Sequence, residues 1–213
     1  MAALVSIVSS TGGRDPLAGD APTAEVELVA ARDLALRAAT GDPAATRQLL
    51  MLVAPAVLRS VRLVLGTRSP DLEDVTQQAL MAFVSALPTF RGECHPAGFA
   101  SRIAVHAALS NRRRIARLRV VPYGAKELAT ATDLGRPPHD DSGTAGYQRR
   151  CVRDLLAHLP QDQAEVLALH VVVGHSLAEI SQATSVPLNT VKSRLRLAKQ
   201  ALRRHLESEC PSS

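Results

Sequence analysis

The stretch Ser176-Leu-Ala-Glu-Ile-Ser-Gln-Ala-Thr-Ser-Val-Pro-Leu-Asn-Thr-Val-Lys-Ser-Arg-Leu-Arg-Leu-Ala-Lys199 decides the fold. Ser176 followed three residues later by Glu179 has the form of a capping box, so a helix starts there. Leu177 and Ile180 face one way. Thr184-Ser185-Val186-Pro187 ends that short helix and restarts the chain, with Pro187 expected in the first turn of the next one. Val191, Leu195, Ala198 and Leu202 then recur at spacings of four, three and four, which makes one apolar stripe. Val186 is expected to plug the angle between the two helices. The stripe leaves Leu188, Asn189, Thr190, Lys192, Ser193, Arg194 and Arg196 at the start of the second helix, on or near its other faces. The pattern is that of a helix-turn-helix, whose second helix enters the major groove with its N-terminal residues at base edges. Arg and Asn can pair with guanine and adenine edges there, while Lys and the later arginines neutralise phosphate.

Working outward, Val152, Leu155 and Leu156 begin a helix that Leu159-Pro160 ends. Gln163 to Val173 forms another, which Gly174 terminates. Before this unit, residues 119 to 148 break periodicity. They hold Pro122, Gly124, Gly135, Pro137, Pro138, Gly143 and Gly146, a linker composition. Before that, four helices are predicted: Glu25–Thr40, Pro43–Leu65 with Gly66 as its stop, Pro70–Ala86 ending before Pro88, and Pro96–Arg119. Residues 1 to 22, with Gly12-Gly13, Pro16 and Gly19, read as a flexible leader. The expected organisation is therefore a leader (1–22), a helical bundle (23–118), a linker (119–148) and a helix-turn-helix unit (149–209). The fold class is all-α, two small helical domains on a flexible tether.

The chain has 213 residues, a net charge of +5 and only 2% aromatic residues. Its pI is near 9.6, which points to an anionic partner. The charge is concentrated. Arg102, Arg112, Arg113, Arg114, Arg117 and Arg119 lie between Ser101 and Arg119 with no acid among them. Lys192, Arg194, Arg196, Lys199, Arg203 and Arg204 do the same between Thr190 and Leu206. Each helical unit thus closes on a basic helix, a layout suited to touching one polyanion at two places. The three cysteines are isolated, which gives no disulfide framework and fits a reducing cytoplasm. No uninterrupted apolar run reaches the roughly 18 to 20 residues of a membrane helix, and no export signal opens the chain, so no membrane insertion is expected. Cys94-His95 sits in a Gly- and Pro-flanked loop without an implied base or oxyanion donor. No Gly-rich phosphate loop or metal-spaced cluster is present. The expectation is a non-enzyme without metal or cofactor.

The run Leu159-Pro-Gln-Asp-Gln-Ala-Glu-Val-Leu-Ala-Leu169, with Gly174-His-Ser-Leu-Ala-Glu-Ile180 and Val186-Pro-Leu-Asn-Thr-Val-Lys-Ser-Arg-Leu195, resembles the fourth conserved region of bacterial sigma-70-family initiation factors. It is most similar to the extracytoplasmic-function (ECF) group, which keeps only the second and fourth regions. Asp71-Leu-Glu-Asp-Val-Thr-Gln-Gln78, Ala86-Leu-Pro-Thr-Phe-Arg-Gly-Glu93 and Arg102-Ile-Ala104 are similar to that group's second region. The resemblance covers about residues 25–118 and 149–207.

It implies a protein that binds RNA polymerase core enzyme and carries it to promoter DNA. The second-region unit would grip the polymerase and open the minus-10 element, and the fourth-region unit would read the minus-35 element. On the Pro70–Ala86 helix, Leu72, Val75, Ala79, Ala82, Phe83 and Ala86 are expected to face the core. Asp71, Asp74, Gln77, Gln78 and Met81, with Ser85 beside them, correspond to the polymerase-binding face. Phe99, Arg102, Arg112, Arg113, Arg114 and Arg117 correspond to the minus-10 surface. Family members usually carry Trp near the position of Phe99 and often Asn near His106. Phe99, Ile103 and His106 share one helix face, and His106 is expected to pack there. The resemblance also admits an anti-sigma partner. The competing reading is a two-domain helix-turn-helix regulator that never touches the polymerase, and the Asp74/Gln77/Gln78 sector discriminates between them.

Overall fold

The computed structural model describes residues 21–120, Arg153 and residues 155–209. The predicted leader up to residue 20 and the predicted linker from residue 121 lie outside the described residues. Those described form helices and connecting turns, with no strand among them.

The first unit holds four helices. Helix α1 (Ala21–Ala39) begins before the predicted Glu25, so Ala21 and Pro22 are helical rather than part of a leader. Gly41 at a φ of 93° turns the chain, and Asp42 caps α2 (Pro43–Leu65). Its Oδ1 accepts from the backbone N–H groups of Ala44 (2.9 Å) and Ala45 (3.1 Å), while Oδ2 accepts from Arg37 (2.8 Å). Pro43 needs no hydrogen-bond partner at this position, so the start costs nothing. Helix α3 (Leu72–Ala86) starts two residues later than expected and runs into a short 3₁₀ turn at Leu87–Thr89. Helix α4 (Pro96–Val120) starts on a device the sequence reading did not contain. The His95 ring Nδ1 accepts from the N–H of Ala97 at 3.0 Å, doing the work of a capping carboxylate.

Helix α2 is the centre of this bundle. Leu49, Val53, Val57, Val61 and Val64 are fully buried along one stripe. Pro55 stands inside the helix and removes one backbone bond, while its neighbours Val53 and Val57 are fully buried. By length and composition α2 could cross a membrane, alone among the described helices. Here its apolar side is the core, packed by α1, α3 and α4. Val75, Ala79, Phe83 and Leu87 supply the α3 side. Ala82 is exposed, against expectation; its methyl is small enough to be tolerated on either face, so periodicity alone could not place it.

In the second unit residues 155–158 are helical, and α5 (Gln161–Leu167) follows Pro160. It widens into a π-helix over Ala168–Val173, so the predicted single helix to Val173 is corrected. Val171 to Val173 are partly buried and this stretch packs on α2, a tertiary contact that helical periodicity does not contain. Gly174, left-handed at a φ of 95°, ends it. Helix α6 (Leu177–Thr184) carries the predicted capping box. Ser176 Oγ accepts from Glu179 N (3.2 Å) and Glu179 Oε2 accepts from Ser176 N (2.7 Å). Helix α7 (Leu188–Glu209) begins one residue after Pro187, whose carbonyl accepts from Thr190 and Val191. Its buried stripe is Val191, Leu195, Ala198 and Leu202, as the spacing required.

The two units are not held apart. Helix α4 packs on α5 and α6, and α2 packs on the π-helix. One continuous hydrophobic cluster runs from Ala35 to Leu202. Each unit buries an apolar face against the other, which relieves the shortage of core that small helical units have.

Candidate nucleic-acid interface

The helix-turn-helix is fixed by three local devices. The capping box starts α6. Ser185 takes the left-handed conformation at the turn, with a φ of 54°. Ser181 Oγ then donates to the Val186 carbonyl at 2.7 Å, tying α6 to the residue that precedes α7. Val186 is half-buried and packed against the core, the plug the spacing called for. On α7, Leu188, Asn189, Thr190, Lys192, Ser193 and Arg196 are all exposed. Ser193 Oγ donates back to the Asn189 carbonyl at 2.9 Å. Arg194 is different: its guanidinium lies 2.6 Å from Asp162 on α5 and is partly covered. Six of the seven predicted reading residues therefore form an open face at the helix start, and the seventh is held by an acid of the same unit.

The predicted polymerase sector divides in the same way. Asp74, Gln77, Gln78, Met81 and Ser85 are exposed on α3. Met81, a large and flexible thioether, is 64% exposed. Asp71 is half-buried, and its Oδ2 accepts from Asn111 Nδ2 on α4 at 3.2 Å. Asn111 Oδ1 in turn accepts from Arg114 at 2.9 Å. Asp71 thus braces α4 from the start of α3 and holds Arg114 through a buried amide.

The minus-10 candidates gather along α4. Phe99 is half-buried against Phe90 (ring centroids 5.4 Å apart) and Phe83 (6.1 Å). Arg114 and Arg117 are exposed, and Arg112 and Arg113 half-buried. Arg113, Arg114 and Arg117 line an open groove of about 400 Å³ with Ser110, Leu118 and Gln161. Partial burial and then the Arg117 charge both weaken proton binding at Arg113, so cations face one another here. Arg112 reaches the Val64 carbonyl at 3.5 Å. His106 is exposed, which corrects the expectation that it packs on the Phe99 face.

Two of these arginines are already engaged by the second unit. Arg102 Nε donates to Glu165 Oε1 at 3.1 Å, and Arg113 donates to the Leu159 carbonyl at 3.0 Å. Two imidazoles lie at the same junction. Burial lowers the pKa of His95, the Arg32 charge adds to this, and Glu179 of the second unit opposes it. Burial likewise lowers His175, against Glu179 and with Arg59 of α2. Cys94 is buried, and burial pushes its thiol up, the opposite of what an activated nucleophile needs. No group of acidic, His and Cys side chains among the described residues has the arrangement of a metal site.

Sequence reasoning missed Asn111, Glu165, Asp162 and His95. Asn111 had a signal: it continues the Ala104–Ala108 stripe into buried territory, where an amide must find partners. Glu165 stands in the buried run Ala164–Leu169, which is the same kind of signal.

Comparison with known proteins agrees with this geometry. The family described as Sigma-70 region 2 matches residues 49–118, and Sigma-70, region 4 matches residues 149–202. The ECF RNA polymerase sigma factor SigD of Mycobacterium tuberculosis is 32% identical over 170 residues, covering 78% of this chain and 79% of SigD. The ECF RNA polymerase sigma factor ShbA of Streptomyces griseus is 29% identical over 169 residues, covering 73% of this chain and 84% of ShbA. Among solved structures, CnrH in complex with the cytosolic domain of CnrY has the same fold. Its TM-score is 0.50 at 23% identity, over 85% of this chain and 99% of CnrH. With two region matches in order and a relative matched over most of both chains, the protein belongs to the sigma-70 family of RNA polymerase sigma factors, in its ECF group.

Proposed function

We propose that this sigma factor docks on core RNA polymerase through the exposed α3 sector, Asp74, Gln77, Gln78 and Met81, with Asp71 bracing it from behind. Helix α7 reads the minus-35 duplex through Leu188, Asn189, Thr190, Lys192, Ser193 and Arg196. Arg194 joins them once Asp162 releases it to a phosphate or base. Phe99, Arg102, Arg112, Arg113, Arg114 and Arg117 take the minus-10 region, where the arginines neutralise the strand as it opens. The chain acts in the cytoplasm, without catalysis, metal or cofactor of its own. An anti-sigma protein is the fitting regulatory partner.

The observation that carries this reading is the open polar and basic face at the start of α7, set on a buried apolar stripe by a capping box. The test is co-elution with purified core polymerase, followed by transcription from a genomic library. Wild type co-elutes and initiates at a defined set of promoters. Asp74→Arg, on the exposed sector, loses co-elution and transcription while its duplex DNA affinity is unchanged. A wild-type chain that fails to co-elute with core polymerase in the presence of promoter DNA overturns the proposal.

A further inference from the structure

Asn111 on α4 stands between the two faces that the proposed function keeps apart. It is 8% exposed, and its amide meets an acceptor at one end and a donor at the other. Nδ2 donates to Asp71 Oδ2 at 3.2 Å, at the start of the α3 sector. Oδ1 accepts from Arg114 Nη2 at 2.9 Å, where Arg113, Arg114 and Arg117 line the groove of about 400 Å³. An ionised carboxylate accepts and cannot donate, so Asp71 fixes which way the amide lies. The flipped amide would set its oxygen against the carboxylate and its NH2 against the guanidinium. No acid is among the residues that line the groove, so the carboxylate linked to Arg114 is Asp71, one amide away. Asp71 is half-buried, and its Oδ1 is bonded to none of the described residues and is not sealed from solvent. A cation from outside the chain can therefore reach it.

We propose that Asn111 is a positioning residue that carries the state of the polymerase face to the DNA face. While Asp71 is unclaimed, the amide holds Arg114 back from nucleic acid; a cationic side chain of the docked polymerase that takes Asp71 releases it. The inference rests on the proposed assignment of the α3 sector to core polymerase and of Arg114 to the minus-10 region. The amide is the two-state element that such a coupling needs, because it has two opposite orientations and an unclaimed Asp71 excludes one of them. Neutralising Asp71 makes the two comparable. In the flipped one Arg114 faces a donor, and its guanidinium leaves for a phosphate. The coupling is reciprocal, so nucleic acid that takes Arg114 strengthens polymerase docking by the same factor.

The test uses the full chain and a fluorescent, randomised single-stranded oligonucleotide pool, with affinity followed against salt. Asp71→Asn keeps the shape and imitates a neutralised Asp71. It tightens binding about threefold and steepens the slope of log affinity against log salt by about 0.7, the value for one more phosphate contact on a single strand. Asn111→Leu, which cannot hold Arg114, gives the same gain, and Asp71→Asn adds nothing to it. Arg114→Ala removes the gain from both. A helix merely braced by Asn111 would instead lose affinity as the brace is removed, and a charge acting at a distance would add its effect in the Asn111→Leu background as well. An unchanged slope in Asp71→Asn, or a gain that survives Arg114→Ala, overturns the proposal. Should Asn111→Leu melt below the assay temperature, Asp71→Asn with and without Arg114→Ala decides. Affinity for purified core polymerase is measured on the same chains, with and without the pool at saturation. The pool raises it about threefold in wild type and not in Arg114→Ala; an equal rise in both overturns the coupling. A wild type that does not bind core polymerase removes the docking assignment and leaves the hold of Asn111 on Arg114 standing, whereas intact core binding with a flat slope in Asp71→Asn removes the relay alone.

Discussion

Replacing Asn111 tests whether the base of the basic helix is braced as described. Its amide is 8% exposed and makes two hydrogen bonds, one to the Asp71 carboxylate at 3.2 Å and one from the Arg114 guanidinium at 2.9 Å. Asn111→Leu keeps the volume and removes both. Arg114 is exposed and Asp71 only half-buried, so water can replace part of what is lost. The cost is then about 1–3 kcal/mol, the range for bonds to charged groups less that compensation. For a chain of this size the melting temperature falls by roughly 3–10 °C. Asn111→Asp is worse, because it sets two carboxylates against each other at the amide's former distance. Coulomb repulsion at an effective dielectric constant near 20 gives a ceiling of roughly 5 kcal/mol. The exchange Asp71→Asn with Asn111→Asp restores one amide and one carboxylate across the same gap and gives Arg114 a direct acid partner. Thermal melts followed by helical circular dichroism should therefore rank wild type and the exchanged pair together, then Asn111→Leu, then Asn111→Asp. An exchanged pair that melts with Asn111→Asp, or an Asn111→Leu chain that melts with wild type, would refute the brace.

Two further outcomes follow from the site. Lys192→Ala removes one exposed cation of the α7 face, so the slope of log affinity against log salt for duplex promoter should fall by about one; an unchanged slope measured by fluorescence anisotropy places Lys192 off the phosphate backbone. His95 and His175 are both held below the ordinary imidazole pKa, chiefly by burial, and His95 accepts a bond that its protonated form could not. The unfolded chain takes up protons near the usual value of about 6.5 while the folded chain resists, so the unfolded state binds more protons and stability falls as pH drops from 7 to 5. The double variant His95→Gln with His175→Gln should flatten that fall in urea titrations, and an undiminished pH dependence would show that other groups carry it.

Much of the architecture was legible because it is local. The Val191–Leu195–Ala198–Leu202 stripe, the Ser176/Glu179 box and the Gly41-Asp42-Pro43 break each decide themselves within a few residues, and the structure has all three. The exposed sector of α3 followed from the same periodicity. What escaped was non-local or chemically neutral. Ala82 and His106 are residues whose burial depends on neighbours from other helices. The widening at Ala168–Val173 lies where this stretch packs on α2, a contact that no single-helix pattern contains. The bond from Arg102 to Glu165 spans 63 positions, and nothing in either stretch names the other. A linker composition lies between the two units, and nothing in it tells that they share one core. Val171 to Val173 are partly buried against a core that both units share.

That common core has a consequence for recombination. A sigma factor with two freely tethered halves could exchange its minus-35 reader for a relative's and keep everything else. In this chain an imported reader would also have to present an acid opposite Arg102 and leave room over Gly66. Chimeras made by joining halves at the tether would therefore carry a mismatched seam even when each half is sound. The residues to transplant with the reader are those of the seam, Glu165 and Arg153 first among them.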